Sequence, residues 1–174
     1  MKKLIKINNK IKSFNNKNIY VSGDKSISIR FILLSSLSNG KCTATGLLKS
    51  EDVLSAINSI RKLGIKIKIR RNKCEVFGKG LFGYPIRKKL ILDAGNSGTT
   101  ARLLFGVLAN SSEKIKIIGD KSLSKRDMSR ITIPLKKFGT KFGKNKKKLP
   151  IEINGPKKLK AINNEENLGT AQCK

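Results

Sequence analysis

A chain of 174 residues with 38% hydrophobic content is long enough for one domain with a sizeable core, or for two small ones. The absence of His excludes a Ser-His-Asp triad, a His general base and a His metal ligand, no apolar run approaches the ~20 residues of a membrane span, and Cys42, Cys74 and Cys173 form no CxxC pair that would hold a metal. The net charge of +28 suits anionic ligands, yet Lys outnumbers Arg about four to one and the lysines are scattered, unlike the Arg-rich, aromatic faces of nucleic-acid readers.

In chain order, Lys3–Ile7 alternates as a short strand and Asn8–Asn18 reads as a polar connection. A strand over Ile19–Val21 then meets a Ser22-Gly23-Asp24 turn, and a helix runs from near Ser26 to about Ser38, ended by Asn39-Gly40. Lys41–Gly46 is β-prone. Ser50, Glu51 and Asp52 cap a helix whose apolar positions Val53, Leu54, Ile57, Ile60 and Leu63 recur at helical spacing up to Gly64. Ile65–Ile69 alternates with period two and pairs with Cys74–Phe77 through an Arg71-Asn72 turn.

The order then repeats. Leu90–Leu92 is a strand, Asp93-Ala94-Gly95-Asn96-Ser97 a turn, and a helix runs to about Asn110. A strand follows at Lys114–Ile118, and then a helix from about Lys125 to Phe138, broken or bent near Pro134. Short strands at Thr140–Phe142 and Ile151–Ile153 flank the Lys144–Lys148 run, which reads as a solvated hairpin tip. The chain spells βαβαββ twice, and a third copy begins near residue 159. Units of this type imply an α/β architecture with helices buried against sheets.

Two of the turns carry a common device. Ser22-Gly23-Asp24-Lys25-Ser26 and Asn96-Ser97-Gly98-Thr99 each open an apolar helix bearing a cation one turn in, Arg30 and Arg102, and 102 − 30 = 72 residues separate them. Free N–H groups and the positive dipole end at a helix start, ringed by Lys and Arg, suit a small multiply charged anion such as a phosphate or carboxylate. Another 72 residues lead to Lys174, preceded by Gly169-Thr170-Ala171-Gln172. One such turn is more often a plain capped helix start; three in register point to a repeated unit.

These segments resemble the signatures of 3-phosphoshikimate 1-carboxyvinyltransferase, the EPSP synthase family. Lys25-Ser26-Ile27-Ser28-Ile29-Arg30 resembles its KS-x-S-x-R motif, and Asn96 to Arg102 its NxGTxxR motif. Gly119-Asp120-Lys121-Ser122-Leu123-Ser124-Lys125-Arg126 is similar to a GD-x-SL-x-KR variant, and Thr170 to Lys174 to an SAQVK segment. The resemblance covers essentially the whole chain. It implies repeated βαβαββ units of an inverse α/β barrel, with residues 1–18 belonging to a distant domain. Residues 19–174 then form part of a substrate-binding domain, in units 19–89, 90–158 and the start of a third at 159–174.

The implied reaction transfers the enolpyruvyl group of phosphoenolpyruvate (PEP) to the 5-hydroxyl of shikimate-3-phosphate. Motif by motif, Lys25, Ser26, Arg30, Thr170, Ala171 and Gln172 would hold shikimate-3-phosphate, while Lys25, Asn96, Gly98, Thr99, Arg102 and Arg126 would hold PEP. Thr170 stands where the family has Ser. Ser122 stands where another branch has a PEP-contacting Arg, so Arg126 carries more of that contact. The family's Asp and Lys acid/base groups lie in its second half, so the catalytic groups are expected beyond residue 174, with Lys25 supporting. The expectation is an N-terminal fragment, inactive alone, of a cytoplasmic, monomeric glyphosate target needing no metal or cofactor and binding neither nucleic acid nor membrane. The alternatives are a UDP-N-acetylglucosamine enolpyruvyl transferase, whose first signature has Lys-Asn instead of Lys25-Ser26, and a basic RNA-associated module.

Overall fold

The computed structural model describes residues 18, 20–81, 83–86, 89–156 and 158–163. Expected features at Lys3–Ile7 and at Thr170–Gln172 therefore lie outside the described residues. The helices are α1 (Lys25–Ser36), α2 (Glu51–Lys62), α3 (Gly98–Val107) and α4 (Ser129–Lys137). The strands are β1 (Asn39–Thr45), β2 (Lys66–Arg70), β3 (Lys73–Lys79), β4 (Leu90–Asp93), β5 (Ile115–Ile118), β6 (Lys141–Phe142) and β7 (Ile151–Asn154). Among the described residues no helix is long and apolar enough to cross a membrane.

The strands form two sheets, ordered β1-β3-β2 and β4-β5-β7-β6. Within the second sheet β4 pairs parallel to β5 and the remaining pairs are antiparallel. The first sheet has the same order as the last three strands of the second. Among the described residues it has no counterpart of β4. The strand expected at Ile19–Val21 is not formed by Tyr20 and Val21, which are 91% and 85% exposed and pair with no neighbour among the described residues. A β-prone run needs a partner for its backbone groups, and propensity alone does not supply one.

Both sheets alternate along most of their strands, with Ile69 an exposed exception on β2. Ile67, Cys74 and Val76 of the first sheet face inward, as do Leu92, Ile115, Ile117, Ile151 and Ile153 of the second. They share one continuous core with Ile29, Ile32 and Leu33 of α1, Val53, Ile57 and Ile60 of α2, and Leu104 and Phe105 of α3. The helices thus occupy the layer against the sheets' inner faces, and burial of these side chains supplies the dominant favourable term. Phe105 meets Phe142 edge to face, with ring centroids 6.2 Å apart.

Several expected boundaries moved. Asn39 and Gly40 begin β1 instead of ending α1, whose cap is Leu37. The helix expected from Lys125 is split into a 3₁₀ turn, Leu123–Lys125, and α4. Arg126 between them is extended at φ −74°, ψ 142°, which neither an α-helix nor a 3₁₀-helix accommodates. Pro134 sits inside α4, and the helix runs through it to Lys137.

Candidate functional site

Three helix starts converge, and local chemistry fixes each. At α1 the Asp24 carboxylate accepts from the Ile27 amide at 2.7 Å. The Asp24 carbonyl accepts from the Ser28 hydroxyl at 2.7 Å, and that hydroxyl oxygen in turn accepts from the Leu48 amide at 3.0 Å. Gly23 is required at this turn because an added Cβ would stand 2.0 Å from the Gly46 carbonyl oxygen, a backbone atom with no freedom to withdraw. At α3 the Ser97 hydroxyl caps Thr100 at 3.2 Å. At α2 the expected Ser50 cap is absent: its hydroxyl oxygen is enclosed with no partner, and the first turn carries Glu51 and Asp52.

Asp52 ties the three together. Its carboxylate pairs with the Lys25 ammonium at 3.0 Å, and its carbonyl accepts from the Thr100 hydroxyl at 3.4 Å. Lys25 is about half exposed, so it can reach a ligand while resting on Asp52. Arg30, one turn along α1, donates to the Ser26 carbonyl at 3.3 Å. Lys25, Ser26 and Arg30 therefore line the opening of α1 as the spacing implied.

The second cluster forms around Gly98. An added Cβ there would lie 3.2 Å from Nη1 of Arg126, 3.4 Å from Nη1 of Arg102 and 3.7 Å from the Leu123 side chain. Two guanidinium groups thus flank a bare backbone at a helix N-terminus, an arrangement suited to a carboxylate or phosphate. Asn96 orients one of them: its amide oxygen accepts from Arg126 at 3.4 Å while its amide nitrogen donates to Asp120 at 2.5 Å. The other Asp120 oxygen accepts from the Leu123 amide at 2.6 Å, closing the 3₁₀ turn that presents Arg126. These contacts, the Leu123 amide first and the Asn96 amide next, hold the Asp120 carboxyl below its ordinary range.

Of the residues the sequence proposed, Asn96, Gly98, Arg102 and Arg126 come together. Lys25 joins their neighbourhood through Asp52, and Thr99 is half-buried at the start of α3 with no side-chain contact assigned. Sequence reasoning missed the Lys25–Asp52 pair and the link from Asp120 through Asn96 to Arg126. The signal was present as Asp52 in a helix first turn and Asp120 after Gly119, but partners 27 and 24 residues away are set by tertiary packing: 52 − 25 = 27 and 120 − 96 = 24. A largely apolar concavity of about 310 Å³, bounded by Leu48, Leu54, Ile57, Ile69 and Cys74 and also lined by Lys49, Arg71 and Lys73, lies apart from Gly98.

The family described as "EPSP synthase (3-phosphoshikimate 1-carboxyvinyltransferase)" matches over residues 10–174. A 3-phosphoshikimate 1-carboxyvinyltransferase of Streptococcus mutans serotype c is 43% identical over 156 residues, covering 88% of this chain and 36% of that protein. One of Vesicomyosocius okutanii is 42% identical over 158 residues, covering 90% and 36%. The solved EPSP synthase of Acinetobacter baumannii superposes with a TM-score of 0.82 at 34% identity, covering 89% of this chain and 35% of that one. The chain therefore spans about 36% of the length of the curated relatives it matches.

Proposed function

The chain belongs to the EPSP synthase family, and we propose that its convergent helix starts bind the two anionic substrates of enolpyruvyl transfer from PEP to the 5-hydroxyl of shikimate-3-phosphate. The observation that supports this most directly is the Gly98 backbone held open between Arg102 and Arg126. PEP carries a carboxylate and a phosphate, and two guanidinium groups around a helix N-terminus neutralise such charge without any reorganisation at the moment of binding. Lys25, Ser26 and Arg30 at the neighbouring helix start take shikimate-3-phosphate, with Lys25 reaching both. Thr170, Ala171 and Gln172 complete that pocket in the same reading.

In the reaction the 5-hydroxyl gives up its proton as its oxygen adds to C2 of PEP and C3 gains a proton, and the tetrahedral adduct then loses phosphate and a C3 proton to form the enol ether. The residues gathered here orient the reactants and stabilise their charge; no carboxylate or amine near Gly98 is assigned the proton transfers. Turnover is proposed for an assembled enzyme that also supplies those groups, working as a cytoplasmic monomer without metal or cofactor.

The test replaces the matching segment of the Streptococcus mutans relative with this chain and follows phosphate release from PEP. Release that depends on shikimate-3-phosphate, and that disappears in Arg126→Ala, supports the reading. A correctly folded chimera with no such release overturns it.

A further inference from the structure

The charge of the chain is not spread evenly over its two sheets. Cross-strand register aligns the outward positions of the first sheet in rows. Lys41, Phe77 and Lys66 form one row, Thr43, Glu75 and Lys68 the next, and Thr45, Lys73 and Arg70 the third, with Lys79 beyond Phe77 on the central strand. Six cations thus share a face with one carboxylate. Glu75 is already engaged by Lys73 at 3.3 Å and Lys41 at 3.8 Å. At the centre Phe77 carries the Lys66 and Lys68 ammonium groups 5.6 and 5.7 Å from its ring centroid, which places all three side chains on the same side.

The second sheet serves as an internal control. Its outward positions include Lys116 and Lys141, balanced by Asp93 and Glu152. A composition bias acting on every tolerant surface position would load both faces alike. The scatter of lysines along the sequence therefore concealed a concentration that only strand register reveals.

We infer that the outer face of the β1-β3-β2 sheet is a second anion-binding surface, distinct from the helix-start site, that takes single-stranded nucleic acid. Rows along a strand repeat about every 6.8 Å, so cations recur along the face and can follow a phosphodiester backbone. Phe77 supplies a central aromatic on which a base stacks by displacing the Lys66 and Lys68 ammonium groups from over the ring, and these then neutralise the flanking phosphates. Thr43 and Thr45 add hydroxyl donors on the β1 side. A single small dianion would leave most of these cations unused, and an acidic peptide would make no use of the aromatic platform. The inference does not depend on the enolpyruvyl reading, because the two sites share no residue.

The experiment measures fluorescence anisotropy of a fluorescein-labelled U12 RNA with the 174-residue chain at about 0.1 M salt, and the salt slope of its affinity. Replacing Lys66, Lys68 and Arg70 together by Ser should weaken binding at least about tenfold and reduce the slope of log K against log salt by about 2. Replacing Lys114, Lys141 and Lys148 together by Ser removes the same charge elsewhere and should change affinity less than about threefold. Phe77→Leu should weaken binding severalfold at unchanged slope, and Glu75→Gln should strengthen it, a gain that needs no destabilised variant. Equal losses in the two triple variants, an inert parent chain, or binding to phosphatidylserine vesicles but not to RNA would each overturn the inference.

Discussion

Gly98→Ala separates a binding role from a folding role, because the structure gives the two effects opposite signs. The added methyl would stand 3.2 Å from Arg126 Nη1 and 3.4 Å from Arg102 Nη1. Ordinary contacts lie at about 3.5–4.0 Å, so each guanidinium must withdraw by a few tenths of an ångström. Both are ends of flexible side chains, and Gly98 already has helical backbone as the first residue of α3, so the fold should lose little. Ala in place of helical Gly contributes up to about 0.5–1 kcal/mol in the stabilising direction. An anion held by the two groups fares differently. A charge-assisted hydrogen bond contributes about 1.5–3 kcal/mol, and partial loss at two arginines should cost about 1–2 kcal/mol, a 5- to 30-fold weaker affinity. Arginine side-chain NMR of the chain titrated with PEP, beside thermal unfolding of parent and variant, reads both effects. Unchanged PEP affinity, or a stability loss above about 2 kcal/mol, would refute the reasoning.

Other substitutions test the remaining parts of the site. Asp52→Asn frees Lys25 from a largely surface ion pair, so stability should change by less than about 1 kcal/mol while phosphate affinity, measured by calorimetry, rises. Ser97→Ala removes the α3 cap and should cost about 1 kcal/mol in urea unfolding. Gly23→Ala places a methyl against the Gly46 carbonyl and should destabilise far more than Gly98→Ala, with the largest loss of amide-exchange protection at the start of α1. Folding depresses the Asp120 pKa, so its contribution is complete above the ordinary aspartate range and is lost as pH falls through the lower folded value. Carboxyl-carbon NMR should find Asp120 titrating lower than a free aspartate, and Asn96→Ala should move it back up.

Much of this architecture was legible because local signals agreed with tertiary demand. Helix α2 announced itself through Val53, Ile57 and Ile60 at helical spacing, all buried. The β2-β3 hairpin followed from alternation and a two-residue turn, with Arg71 adopting φ 48° to make it. The errors have a common physical source. Tyr20 and Val21 had β-propensity but no partner among the described residues, and the segment from Lys125 had helical composition but an extended Arg126. Ser50 had the right identity and position for a cap, but its hydroxyl makes no bond to the helix. In each case propensity was overridden by where a neighbouring element placed, or failed to place, a hydrogen-bond partner.

The candidate site shows the same division between what motifs carry and what packing adds. Residue identities at Lys25, Arg30, Gly98, Arg102 and Arg126 already implied an anion site, because charge and the lack of a side chain are properties of single residues. Their relative placement depends on contacts that no short motif contains. The Thr100 hydroxyl reaches the Asp52 carbonyl, the Leu48 amide reaches the Ser28 hydroxyl, and the Asp120 amide reaches the Gly95 carbonyl at 2.8 Å. Each joins one helix start to the loop or helix beside it. Arg126 shows the consequence most directly. An uninterrupted helix from Lys125 would have given it helical backbone; the Asp120-capped 3₁₀ turn ends before it, and the extended residue lies with its guanidinium beside Gly98. Local helix propensity is thus surrendered at the position where the ligand contact is proposed, as expected when a binding geometry competes with a regular element.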